Sequence, residues 1–199
     1  MKKLYFALAY ISLCVTFALA QSSGRVSFNE GWLFQKGDPT GAEGKLSYKN
    51  IKDWVRPTGN PFVDESKKVA KPEGNIGEDV SYTQPGFNDS NWRKLDLPHD
   101  WGIEGDFVQE VPGESGKRPW AGVGWYRKHF SVATADKGKQ FYIDFDGAMA
   151  YPAVWLNGKF VGGWAYGYQP FRVDLTPYIE SGKENVLSVR LENYPCASL

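Results

Sequence analysis

The chain has 199 residues with 23 basic and 23 acidic side chains, so no excess of positive charge argues for nucleic acid as a partner. That length suits one domain with a sizeable core. Aromatic residues make up 16% of it, which fits a β-rich domain and also a carbohydrate binder, because sugar C–H faces pack on aromatic rings.

Residues 1–20 read as a secretory signal peptide. Lys2 and Lys3 form the positive start, Leu4 to Leu19 carry no charge, and Ala18-Leu19-Ala20 is a small-residue cleavage site. A membrane anchor needs about 20 apolar residues, and this run is shorter. A lipid-anchored reading through Cys14 fails because Leu13, not a small residue, precedes it. Cleavage leaves 21 basic and 23 acidic groups and Cys196 as the single thiol, which excludes an intrachain disulfide. The product is expected to be exported, periplasmic or extracellular, with no membrane association afterwards.

The mature chain opens with two predicted strands, Arg25–Asn29 and Trp32–Lys36. Residues 37–86 hold five prolines and no sustained period of 2 or 3.6, and read as a long surface insertion with at most one short helix or strand. Asp89-Ser90-Asn91 is turn chemistry, with Trp92 as its anchor. Arg93–Leu97 alternates and Pro98 ends it. An irregular loop carrying Glu104, Asp106, Glu110, Glu114, Arg118 and Trp120 runs to Gly122. Strands then dominate. Tyr126, Lys128, Phe130 and Val132 share one face, as do Phe141, Ile143 and Phe145 of the next strand. Asn157-Gly158 between two apolar arms is a strong hairpin signal. Phe171–Leu175 alternates, Thr176-Pro177 starts a helical turn as N-cap and N1, and Asn185–Glu192 is a last strand with Leu187, Val189 and Leu191 inward. Eight or more short strands with long loops predict an all-β fold, a β-sandwich or jelly roll.

Few residues suggest chemistry. Asp144 and Asp146 lie two apart on one strand, about 6.6–6.8 Å between Cα atoms. That spacing suits an inverting carboxylate pair, but the polar outer face of an amphipathic strand explains it better. The loop carboxylates read as solvated. His99 and His129 are the only histidines and have no third ligand at metal spacing, so neither a metal nor a cofactor is expected; His129 reads as exposed or at a sheet edge. His99, Asp100 and Trp101 follow Pro98 in a loop. Asp100 either contacts sugar hydroxyls or caps a turn, with Trp101 filling the core. Trp164, Tyr166 and Tyr168 alternate with small residues, and an extended run would align their rings as a sugar-stacking surface, a core stripe or a docking face. His99, Asp100, Trp101, Trp164 and Tyr166 are the candidate substrate-binding residues.

Six motifs in order, Leu97–Trp101, Gly124–Phe130, Asp144–Gly147, Val154–Gly158, Gly167–Phe171 and Val173–Pro177, resemble the N-terminal sugar-binding jelly roll of glycoside hydrolase family 2, of the β-galactosidase and β-glucuronidase type. The Pro98-His99-Asp100-Trp101 form and the long insertion are most similar to exported β-galactosidases of gut bacteria. The resemblance covers roughly residues 25–195 and implies a galactose-binding-domain-like jelly roll over residues 21–195.

Family members continue into an immunoglobulin-like domain and a (β/α)8 barrel, whose two glutamates perform retaining hydrolysis. No stretch here matches those glutamate motifs. The family's usual continuation after Asn193-Tyr194-Pro195 is replaced by residues 196–199, so the chain reads as truncated. The resemblance thus implies a non-catalytic portion, inactive alone, whose partners are a β-galactoside or related carbohydrate and the missing immunoglobulin-like and barrel domains. Two alternatives stand: a free-standing carbohydrate-binding module, and a nonfunctional fragment that aggregates through exposed aromatics.

Overall fold

A computed structural model describes residues 24–110 and 121–194. The leader, Glu114, Arg118, Trp120 and the end from Pro195, Cys196 included, lie outside the described residues.

Eight strands form two antiparallel sheets. They are β1 (Trp32–Lys36), β2 (Arg93–Leu95), β3 (Gly122–Ser131), β4 (Tyr142–Phe145), β5 (Ala153–Leu156), β6 (Lys159–Gly163), β7 (Phe171–Asp174) and β8 (Glu184–Asn193). One sheet has the order β2-β1-β3-β8-β5-β6, and β4 pairs with β7 in the other. The architecture is an all-β sandwich. Arg25–Asn29 is not a strand; within it, the Phe28 carbonyl accepts from Trp32 Nε1 at 2.8 Å.

Alternation places the apolar residues. Ile143 on β4 and Phe171 and Val173 on β7 pack against Trp32, Phe34, Tyr126, Val154, Leu187 and Val189 of the large sheet. The polar residues of β4 and β7 face outward, where Arg172 holds Asp144 through Nε at 2.6 Å and Nη2 at 3.0 Å, and Arg25 reaches Asp146 at 3.1 Å. The β5–β6 hairpin turns at Asn157 (φ 51°) and Gly158 (φ 78°), the two positive angles that a tight type I′ turn requires. Asn157 also fastens the turn to its neighbours: its Nδ2 donates to Tyr178 O and Asn185 Oδ1, and its Oδ1 accepts from Val186 N.

The segment from 37 to 86 differs from the predicted surface insertion. It covers the other face of the large sheet and builds a second core. Its helix α1 (Tyr48–Val55) buries Ile51 and Val55, one turn apart on one face. These join Leu46, Val80 and Trp92 over Trp125, Trp155 and Phe160. Both faces of β8 are consequently buried, and charged residues on it need partners. Arg190 pairs with Asp38 and with Glu192, and donates to Leu46 O at 2.8 Å. On β3, Arg127 donates to Asp89 at 2.7 Å and to Tyr82 O at 2.6 Å. His129 lies on that same central strand, not at an edge, and is partly buried between Asp89 (2.8 Å) and Glu184 (3.2 Å). The same segment shields edge strand β6. Asn75 bonds Phe160 N and Gly158 O, Lys71 donates to Phe160 O, and Thr58 accepts from Gly163 N.

The turn at Thr176–Tyr178 starts one residue earlier than predicted, with Leu175 and not Thr176 as N-cap. Thr176 Oγ1 instead ties the turn to β4's approach, accepting from Phe141 N at 2.8 Å.

Candidate functional site

Strand register gathers the candidate residues at one end of the sandwich. Lys36 of β1 faces Gly124 of β3, Gly122 faces Asn193 of β8, and Arg190 faces Ala153 of β5. Ala153 faces Gly163 of β6, and Phe145 of β4 faces Phe171 of β7. The connections 146–152 and 164–170 therefore emerge where β8 ends. The 99–104 turn reaches the same end, because a Cβ on Gly102 would stand 3.4 Å from Asn193 Nδ2.

Three residues anchor the 99–104 turn. His99 Nδ1 lies 2.8 Å from Tyr126 Oη, and His99 Nε2 lies 3.0 Å from Glu104 Oε1. Arg93 Nη2 donates to the same Glu104 oxygen at 2.5 Å. Hydrogen bonds from Arg93 and His99 hold the Glu104 carboxyl down at about 2, so it is ionised and only accepts. His99 Nε2 thus lies between this acceptor and Arg93 Nη2, 3.2 Å away, while its Nδ1 bonds the Tyr126 hydroxyl. Burial, with the charges of Asp100 and Glu104, pushes the Tyr126 phenol up and keeps it a donor. Glu104 is thus bound and not solvated, contrary to its reading as a loop carboxylate. Asp106 and Glu110 are exposed.

Asp100 caps this turn. Its Oδ1 accepts from Gly102 N at 2.7 Å. Trp101 is buried, and it packs so closely over Gly124 that a Cβ there would meet its ring at 2.8 Å. His99 packs edge-on to Phe34 at 4.6 Å. His99 and Trp101 therefore act as core and Asp100 as a cap at the rim.

The aromatic run does not align three rings, because residues 164–170 bend instead of extending. Trp164 turns inward and stacks on Phe171 at 5.9 Å, edge-on to Phe62 at 6.0 Å. Tyr166 and Tyr168 are 54% and 75% exposed, with centroids 5.6 Å apart and planes at 59°, so they do not make one flat platform. Met149, packed against Gly167, is exposed beside them, and Phe62 and Tyr194 are exposed near the same end. Arg93, Tyr126 and Met149 were not singled out in the sequence as site residues. The Arg93–Glu104 spacing across a turn is the one signal that could have found the clamp.

Catalysis has little to draw on here. Glu104 is held ionised, and hydrogen bonds from Arg172 keep the Asp144 carboxyl below its ordinary value, so neither can deliver a proton near neutrality. No group of three or more His, Cys, Asp or Glu suited to a metal occurs among the described residues.

Comparison with known proteins bears on the family and the fold. Residues 109–197 match the family described as glycosyl hydrolases family 2, sugar binding domain. A β-galactosidase of Bacteroides ovatus is 53% identical over 119 residues, 59% of this chain and 14% of that protein. A putative β-glucuronidase of Formosa agariphila is 39% identical over 119 residues, again 59% of this chain and 11% of the relative. The chain thus matches about one seventh or less of the length of either relative. A glycosyl hydrolase family 2 structure from Bacteroides cellulosilyticus superposes with TM-score 0.58 and 30% identity, covering 85% of this chain and 18% of that one. A β-glycosidase from Bacteroides vulgatus does so with TM-score 0.58 and 29% identity, covering 84% and 17%. Residues 109–197 of this chain thus resemble the sugar-binding domain of the family 2 glycosyl hydrolases.

Proposed function

We propose that this chain is the N-terminal, non-catalytic jelly-roll portion of an exported β-galactosidase-like glycoside hydrolase. The observation that carries the reading is the end face where Phe62, Met149, Tyr166, Tyr168 and Tyr194 stand exposed together, where β8 leaves the sandwich. Large aromatics in water at one end suit a surface that other domains cover. The small share of the relatives' length that the chain matches supports the same reading. In the whole enzyme this end would brace the catalytic barrel and form one wall of the sugar pocket, with Asp100 and Tyr166 at its rim and the His99–Glu104–Arg93 clamp fixing the turn. Full-length enzyme would hydrolyse terminal β-glycosides with retention; this portion would not. Export rests on the leader at residues 1–20.

The test is an assay of the 199-residue chain on an aryl β-galactoside. No turnover is expected, and clear turnover would overturn the reading. Calorimetry with galactosides separates it from a free-standing carbohydrate-binding module, since binding tighter than millimolar would favour the module. Sequencing the N-terminus of chain secreted by a bacterial host checks export, and Gln21 is the expected first residue.

A further inference from the structure

Edge strand β6 carries a groove that the proposed function does not use. A cleft of about 290 Å³ is lined by Lys71, Asn75, Glu78, Lys159, Phe160 and Tyr178. A second, of about 120 Å³, shares Lys71 and Phe160 and continues past Trp54 and Thr58 to Gly162. Together they run along β6 from the hairpin turn toward the end where Trp164 stands. β6 is the far edge of the sheet from β2, so the groove is remote from Arg93 and His99.

Its chemistry favours an anionic, ring-shaped ligand. Lys71 and Lys159 have no ion-pair partner among the described residues. Lys71 is nevertheless fixed in place: its Nζ lies 3.2 Å from Phe160 O and 3.2 Å from Tyr178 Oη. An ammonium has three N–H donors, so one remains for a ligand. Its position 5.7 Å from the centre of the Tyr178 ring adds a cation–π contact that holds it there. Glu78 is the single acid on the lining, so two cations outweigh it. Tyr178 and Trp54, both half-buried, offer ring surface in the two clefts. The two clefts, about 290 and 120 Å³, hold more than a simple anion.

We propose that this groove is a second carbohydrate site, one that takes an acidic oligosaccharide, with Lys71 and Lys159 receiving carboxylate groups and Tyr178 and Trp54 packing on sugar faces. It would hold a charged glycan chain beside the enzyme and is independent of where hydrolysis occurs.

The test is titration of the 199-residue chain, followed by 1H–15N amide shifts, with trigalacturonate, a neutral galactotriose and inorganic phosphate. Trigalacturonate is expected to shift the amides of Lys71, Lys159 and Tyr178 with sub-millimolar affinity, at least tenfold tighter than galactotriose, and more weakly as salt rises. K159A, which removes an exposed side chain and no internal bond, should weaken binding at least threefold. K71A should weaken it further, and K94A, at an exposed lysine on the opposite edge strand β2, should leave it unchanged. Equal binding of the neutral sugar, phosphate binding as tightly as trigalacturonate, or an unaffected K159A variant would each overturn the proposal. The amides of Lys71, Lys159 and Tyr178 report on the groove and not on the end face, so the two readings fail separately.

Discussion

Arg190 holds both carboxylate oxygens of Asp38, through Nε at 2.7 Å and Nη2 at 2.9 Å, although 152 positions separate the two residues. Trp125 Nε1 donates to the same carboxylate at 2.9 Å. Burial works against the charged form of Asp38, but the hydrogen bonds and charge of Arg190 outweigh it and hold the carboxyl low. Removing Asp38 leaves the buried Arg190 with Glu192 as its remaining acidic partner, and breaking a buried pair of this kind costs about 3–5 kcal/mol. D38A should therefore lower the urea midpoint by that equivalent. A loss below about 1 kcal/mol would show that the 37–86 segment is fastened by its apolar contacts alone.

His129 sets a pH dependence. Burial opposes its charged form, but hydrogen bonds to Asp89 and Glu184 prevail and raise its pKa above the ordinary value. A raised folded value means its stabilising contribution is full below the unfolded value of about 6.5 and is lost as pH rises through the folded one. Wild type should exceed H129Q in stability at pH 5.5 by more than at pH 9. Thermal melts across that range measure it, and an unchanging difference would refute the assignment.

Glu104 acts in the opposite direction. Its folded pKa of about 2 lies below its ordinary 4.5. Its contribution is therefore present above 4.5 and disappears as pH falls through the interval between the two values. Carboxyl carbon shifts of Glu104 should titrate near 2. E104Q should cost about 1 kcal/mol at pH 7, the usual scale for a partly exposed charged hydrogen bond, and should flatten the acid limb of the stability curve.

Packing of Trp101 onto Gly124 gives a steric test. An added Cβ would stand 2.8 Å from the Trp101 ring and 3.1 Å from Phe34, both core side chains. Overpacking of this kind costs about 1–3 kcal/mol. G124A should lower stability by that amount and shift Trp fluorescence, whereas alanine at Gly86, with no atom within 4 Å, should not.

The hairpin asks whether Asn157 serves by conformation or by bonding. N157G keeps the positive φ and loses the bonds to Tyr178, Asn185 and Val186. A loss of about 1–3 kcal/mol is expected; an N157G chain as stable as wild type would assign the residue to turn geometry only.

How much of this was legible in the sequence depended on whether the determining contacts are local. The Asn157-Gly158 turn and the alternation of β4 and β7 are written in neighbouring residues and stand as read. Helix α1 was hidden because Tyr48, Ile51 and Val55 supply only two turns of period among prolines. On β8, Arg190 and Glu192 alternate with inward leucines and so pass for a solvated face. Only the distant Asp38 and the 37–86 segment bury them. Trp164 and Tyr166 read as one stripe, but the bend at 164–170 sends the first inward and leaves the second in water. Asp100 showed the cap that its residue type permits, while the Arg93–Glu104–His99 clamp left only the Arg93–Glu104 spacing as a trace, because it joins strand β2 to the 99–104 turn.

The side chains of Thr58, Lys71 and Asn75 along β6 bear on the life of the chain before it is folded. A sheet edge with open amides is a template on which a second unfolded chain can lay a strand. Here the residues that stopper those amides are made well before β6 itself. A nascent chain thus already holds the means to cap this edge strand when it forms, and loss of this cap would show as clumping during refolding at high concentration rather than as a weaker native state.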